Sequence, residues 1–213
     1  GEEVMSAALK RIAFAGIGNM GWPMAANLVK AGFEVTVCDV VPGRAASFAT
    51  ETGAKAAATP AEAAAGADCV VIIVPTSKQV GEAVEAMLPS LKPGMLVIDM
   101  TSGQPGRTRE IAAMLEGHGV PMIDCPVSGG VPRAKSGQLA IMVGGPDAEI
   151  DRAEPVLKAM GTSVYRCGDI GAGQAMKALN NLVSAGGYLI GIEALLIGQR
   201  FGLDPTTMVD VLN

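Results

Sequence analysis

The 213-residue chain is 49% hydrophobic and 17% charged, enough apolar material for a large buried core and too little charge for a disordered protein. Its formal net charge is −5, and its lysines and arginines form no cluster. Nucleic acid and anionic membrane surfaces are therefore excluded as expected partners, and any bound anion must be held by local geometry.

The opening "GEEVMSAALK" has neither the apolar core of a signal peptide nor an arginine-rich amphipathic presequence, and Met5 is a candidate natural start. "RIAFAG" (11–16) then predicts a strand, "NMGWPMAANLVKAG" (19–32) a helix stopped by Gly32, and "EVTVCD" (34–39) a second strand. Continuous apolar runs follow at 69–74, 95–99 and 121–125, with helices near 42–52, 60–66, 77–88 and 105–117. Strands without a polar face belong to a sheet covered on both sides, hence parallel strands joined by crossover helices. The alanine-rich 54–68 segment contains a short helix started by Thr59-Pro60. Two more strands, 139–143 and 163–167, flank a helix opened by "GGPDAE".

From Ala172 to about Arg200 only glycines interrupt the pattern, which predicts a helix of roughly 29 residues and ~43 Å. Its most apolar stretch, "LVSAGGYLIGIEALLIG" (182–198), has 17 residues and contains Glu193. That falls short of the about 20 apolar residues of a membrane span, so a helix packed within protein is expected and no membrane. A helix apolar nearly all round needs neighbours on every side. The next helix, with Asp204 as N-cap and Pro205 in first position, covers one side at most. The fold class expected is therefore α/β: a Rossmann-type doubly wound parallel sheet over 1–168, then, over 169–213, a long linking helix and the truncated beginning of an all-helical domain. The uncovered helix points to a homo-oligomer, a dimer or tetramer.

Cys38, Cys69, Cys125 and Cys167 are scattered in or beside strands and never form a C-x-x-C pair, as buried free thiols do. With His118 the single histidine, no metal-ligand cluster is available, and a reducing, cytoplasmic setting fits.

"GIGNMG" places Gly16, Gly18 and Gly21 in G-x-G-x-x-G register, directly after a strand and opening a helix, with Asn19 and Met20 inside the turn. Gly16 permits the tight turn, Gly18 the approach of a pyrophosphate, and Gly21 close helix–strand packing. Exposed amide N–H groups and the helix dipole then hold phosphates without a basic residue. Asp39, at the end of the second strand, strengthens the motif: a carboxylate there accepts hydrogen bonds from ribose hydroxyls and repels a 2′-phosphate. NAD is the expected cofactor, with NADP as the alternative because Arg44 stands near enough to reach a phosphate.

Read together, "AGIGNMGWPMAANLVKAG", "DCPVSGGVPRAKSGQLAIMVGG" (124–145) and "GAGQAMKALNN" (171–181) resemble the β-hydroxyacid dehydrogenases. The resemblance covers Arg11 to Asn213. It implies a Rossmann domain, a helical domain entered by one long helix, a site in the cleft, and reversible oxidation of a small β-hydroxyacid to its semialdehyde. By position it implies that Ser128, Gly129 and Gly130 bind the substrate carboxylate, that Lys177 is the catalytic acid/base, and that Asn181 positions substrate. The cofactor-contacting loop falls at Val74-Pro75-Thr76, and the family's threonine near the nicotinamide falls at Thr101. Relatives often read D-x-S-T where this chain has Asp99-Met100-Thr101-Ser102, which leaves open whether Thr101 or Ser102 takes the role.

The residues carry part of this chemistry unaided. Oxidising an alcohol requires a group that takes the hydroxyl proton. His118, beside Gly119 at a helix end, fits a C-terminal cap better than a base. Lys177 near a helix N-terminus, partly desolvated and facing a cationic ring, has its charged form disfavoured and its pKa lowered. Gln174, Lys177 and Asn181 share a helix face and are expected to form a cleft wall. "SGG" can form an anion-binding nest. Arg133 and Lys135 lie nearby, as candidates for a second anionic group or as solvated side chains. An imine reductase, a non-catalytic dinucleotide-binding module and a phosphogluconate-type enzyme share the architecture. The first two resemble the family with the lysine replaced, so Lys177 argues against both; the third needs phosphate-binding basic residues not found here.

Overall fold

In the computed structural model, which describes residues 8–212, β1 (Arg11–Ala15) sends Ile12 and Phe14 to one face and Ala13 and Ala15 to the other, all of them buried. The reading of Met5 as a natural start lies outside the described residues. Strands apolar on both faces can exist only between two layers, and the chain supplies them. After β1 come α1 (Gly21–Lys30), β2 (Glu34–Cys38), α2 (Arg44–Thr52), β3 (Lys55–Ala56) and α3 (Pro60–Ala64). Next are β4 (Cys69–Ile72), α4 (Ser77–Met87), β5 (Leu96–Asp99), α5 (Pro105–Glu116) and β6 (Met122–Asp124). The sheet is completed by β7 (Val127–Ser128), α6 (Gly130–Ser136), β8 (Leu139–Gly144), α7 (Asp147–Met160) and β9 (Gly161–Gly168). Met24, Leu28, Phe48, Val156 and Leu157 fill one face of the sheet, with Trp22 packed edge-on against Phe48 at 5.0 Å. Val80, Val84, Ile111 and Leu115 fill the other.

The strand order β3-β2-β1-β4-β5-β6 is that of a doubly wound dinucleotide fold, and each of these pairings is parallel. The sheet continues as β8, antiparallel to both β6 and β7, with β9 parallel to β8. The expected doubly wound parallel sheet is thus present, and chain length accounts for the antiparallel β7–β8 pairing beyond it. Only residues 129–138 separate β7 from β8, fewer than the dozen or more that a parallel crossover needs. The two-residue strands β3 and β7 and the helix α6 were not expected from the pattern, being too short for a period to register.

Contacts divide the chain into two compact units, one ending at Lys177 and the other beginning at Ala178. The second holds most of α8 (Ala172–Phe201) and α9 (Pro205–Leu212). Asp204 caps α9 by accepting the Thr207 N–H at 2.9 Å, with Pro205 in first position as its sequence predicts. Met208 packs where a Cβ at Gly198 would stand. Along its middle α8 is exposed: Leu182, Val183, Leu189 and Ile190 are each at least 68% exposed. Because the helix runs 30 residues rather than the 17 of its apolar run, it is long and apolar enough to cross a membrane by length and composition.

Candidate active site

The carboxyl ends of β1, β2, β4, β5 and β6 meet at one edge of the sheet, where a glycine turn joins β1 to α1. Gly16 stands at φ +92°, and a Cβ there would run into the backbone carbonyl oxygen of Ile73. A Cβ on Gly21 would strike the carbonyl oxygen of Gly16, whereas one on Gly18 would meet nothing within 4 Å. The first and third glycines are thus required by packing, and the second faces open space where an anion can approach. No side chain caps the N-terminus of α1, so its amide dipoles remain available to a phosphate. These features fit a dinucleotide.

Asp39 is drawn into this turn. Its side chain is 4% exposed; Oδ2 accepts the Ile17 N–H at 2.9 Å and Oδ1 the Val41 N–H at 2.8 Å. The Arg44 guanidinium donates to Oδ1 at 3.2 Å and remains 36% exposed. The carboxylate is therefore occupied by protein donors, and Arg44 stands beside it at the cleft.

A cleft of about 960 Å3 crosses this edge. Gly16, Gly18, Asn19, Met20, Gly21 and Asp39 line it from the first two strands. Val74 and Pro75 line it after β4, Ser102 after β5, and Ser128, Gly129 and Gly130 around β7. Lys177, from the start of α8, lines it too. Sequence reasoning had passed over Gln79, Ala83 and Ala86, whose i, i+4, i+7 spacing puts one face of α4 along the cleft; that spacing was the available signal.

Two expectations are corrected. Thr101 is 1% exposed and does not line the cleft: its hydroxyl accepts the Val74 N–H at 3.1 Å and its own N–H donates to Asp99 Oδ1 at 3.0 Å. The exposed hydroxyl on this turn belongs to Ser102. Gln174 does not join Lys177 on a cleft wall. It is 1% exposed, turned inward, with Nε2 donating to Thr101 O at 2.8 Å and Oε1 accepting the Gly103 N–H at 2.7 Å.

At the "SGG" turn, Gly129 has φ +132° and Gly130 φ +65°, and a Cβ on Gly129 would meet the Arg133 stem at 2.6 Å. The half-buried Lys177 amine has its pKa lowered by burial, which disfavours the ammonium form. Asn181 lies four residues further along α8, in the second unit, and is exposed. His118 lies just past α5, its N–H donating to Leu115 O at 2.9 Å, and does not line the cleft. Among the described residues no group of three His, Cys, Asp or Glu side chains could hold a metal ion.

Residues 11–168 match the family model described as the NAD binding domain of 6-phosphogluconate dehydrogenase. Residues 171–213 match the one described as the NAD-binding of NADP-dependent 3-hydroxyisobutyrate dehydrogenase. The chain belongs to the β-hydroxyacid dehydrogenase family. It is 40% identical over 205 residues to the mitochondrial 3-hydroxyisobutyrate dehydrogenase of Bos taurus, covering 95% of this chain and 61% of that protein. The solved structure of Mycobacterium tuberculosis 3-hydroxyisobutyrate dehydrogenase with L-serine is 40% identical, with a TM-score of 0.91 over 97% of this chain and 70% of that one. An imine reductase from Myxococcus stipitatus shares the fold, with a TM-score of 0.87 at 20% identity over 97% of this chain and 71% of that one. The chain thus carries the family's NAD(P)-binding domain and spans 61% of the length of the bovine relative.

Beneath the cleft, Asp99 and Asp124 are register neighbours on β5 and β6, 2% and 0% exposed. Burial pushes the Asp99 carboxyl up to about 7, with the neighbouring Asp124 charge adding to the rise, and burial raises Asp124 as well. A carboxyl whose folded pKa exceeds its unfolded value holds its proton longer in the native state, so ionising it opposes folding. Stability contributed by the protonated Asp99 is therefore lost as pH rises from about 4 to about 7. Urea denaturation should show a midpoint falling across that window, and Asp99→Asn should flatten the fall. A variant with an unchanged slope would remove Asp99 as its source.

Proposed function

We propose that this cleft interconverts a small β-hydroxyacid and its semialdehyde with NAD as the hydride carrier. One observation carries the reading: the glycine turn, the "SGG" turn and a half-buried lysine line a single cleft. The backbone N–H groups of the turn at Gly16–Gly21 would hold the pyrophosphate, with Val74 and Pro75 beside the nicotinamide half. When bound, the nicotinamide supplies the hydride acceptor. Ser128, Gly129 and Gly130 hold the substrate carboxylate through hydroxyl and amide donors, the backbone dipoles compensating for the acidic protein. Lys177, its ammonium form disfavoured by burial, takes the hydroxyl proton as the alcohol is oxidised and returns it in the reverse direction. Asn181 positions substrate one helical turn on, and Ser102 supplies the hydroxyl first assigned to Thr101. L-Serine, present with the Mycobacterium tuberculosis relative, is itself a β-hydroxyacid, which supports the substrate class.

Residues 169–213 are taken as the linking helix and beginning of a helical domain. The four cysteines are free and three are buried, in keeping with a reducing compartment such as the cytoplasm. The bare apolar surface of α8 far exceeds scattered apolar residues and belongs to an interface, in the simplest case with a second copy.

Three outcomes follow. Lys177→Ala should lower turnover by ~100-fold or more with NAD affinity nearly unchanged, since a general acid/base contributes about that much; near-normal turnover in a hydroxyacid screen would remove the lysine from the reaction. NAD should bind more tightly than NADP by about 1.5–3 kcal/mol, the scale of a hydrogen bond to a charged group. Asp39→Ser, by freeing Arg44 for a 2′-phosphate, should close that gap, and calorimetry showing NADP preferred by the unmodified protein would reject the assignment. Light scattering of the 213-residue chain at micromolar concentration should report a dimer or larger species, against which a clean monomer with α8 ordered would count decisively.

A further inference from the structure

A lysine on the first turns of a helix is only as well placed as the helix start, and this one is held from inside the protein. Asp124, at the end of β6, is fully buried; its Oδ1 accepts the Gly171 N–H at 2.7 Å and its Oδ2 the Gln174 N–H at 2.7 Å. Its carboxylate thus does what an N-cap side chain does, across 47 and 50 residues of sequence, and sets a negative charge against the positive end of the helix dipole.

The fit leaves no slack. A Cβ on Gly144 would come within 2.5 Å of Asp124 Oδ1, and one on Gly173 within 2.8 Å of Oδ2. Arg109 from α5 donates through Nε to Ile170 O at 3.1 Å and is the cation facing Asp124, while Asp99 and Cys125 are its buried neighbours. One residue further, the Gln174 side chain ties the same turn to Thr101 and Gly103, and Thr101 in turn holds Val74. Lys177 lies three residues beyond Gln174, within the same compact unit.

We propose that Asp124 is the positioning residue of this site: by capping α8 from within, with Gln174 as its latch to the 101–103 turn, it fixes where the Lys177 amine stands and how far it is shielded from water. The inference rests on the assignment of Lys177 as acid/base. The cause that lowers the Lys177 pKa is burial. Asp124 therefore acts through geometry, and a freed helix start would let water reach the amine and raise its pKa toward the ordinary value.

The test is Asp124→Asn in the full-length protein, which preserves shape but turns an amide NH2 toward one of the two backbone N–H donors. The midpoint of Lys177 labelling by trinitrobenzenesulfonate against pH, followed by peptide mass spectrometry, should move up. Turnover should fall by up to about 100-fold, the scale of a misplacement near 1 Å, with NAD affinity by calorimetry little changed. Loss of general stability alone would lower the melting temperature and leave the labelling midpoint in place, which would overturn the proposal, as would turnover within about twofold of the unmodified protein. If the asparagine variant does not fold, Gln174→Met, which keeps chain length and severs both bonds of the latch, is read in the same way. Lys177→Ala is assayed alongside: if it retains turnover, the acid/base assignment fails, while the labelling midpoint still decides whether Asp124 positions that amine.

Discussion

The two hydrogen bonds from the start of α8 to the buried Asp124 carboxylate are the junction on which the site's geometry depends. The carboxyls at the ends of β5 and β6, Asp99 and Asp124, are buried beneath the cleft. In the proposed reaction the proton-transfer group is the Lys177 amine, which comes from another element, and that element must be anchored to the sheet. Asp124 does this at the cost of a buried charge, relieved by two backbone donors and Arg109. Gly144 and Gly173 are glycine because any side chain would intrude on the carboxylate.

Below the cleft the polar groups form a continuous chain. Val74 N–H meets Thr101, Thr101 N–H meets Asp99, and Gln174 joins the Thr101 turn to α8. The loops that follow β4 and β5 are therefore coupled to the helix that follows β9. An acidic protein with a net charge of −5 can hold anionic ligands in this cleft because fixed backbone dipoles, rather than excess lysine or arginine, provide the positive potential. The same arrangement explains why Arg44 is answered by Asp39: left unpaired, the guanidinium would be a standing phosphate site at the mouth of the cleft.

Local patterns carried much of this in the sequence. The G-x-G-x-x-G turn, the doubly apolar strands, the Thr59-Pro60 and Asp204-Pro205 helix starts and the 30-residue helix α8 each follow from residues close together in the chain. Ser128, Gly129, Gly130 and Lys177 were legible through ordered motifs, and all line the cleft. What escaped was set by distant pairs. Thr101 looked like a cleft hydroxyl, but its partner Val74 lies 27 residues away. Gln174 shares a helical face with Lys177 by spacing, yet its acceptor at Thr101 turns it inward across 73 residues. Asp124 read as the end of a strand, and nothing nearby in sequence announces that it caps a helix. The reversal at β8 was hidden for a related reason, since the pattern marks a strand but not its direction.

The central claim is that the glycine turn and Lys177 serve one reaction in one cleft, and a crystal structure of the protein with NAD tests it most directly. The account predicts pyrophosphate density against the backbone of Gly16–Gly21 and a nicotinamide ring beside Val74 and Pro75, facing the Lys177 amine. A dinucleotide seated outside this cleft, or one whose nicotinamide turns away from Lys177, would contradict it.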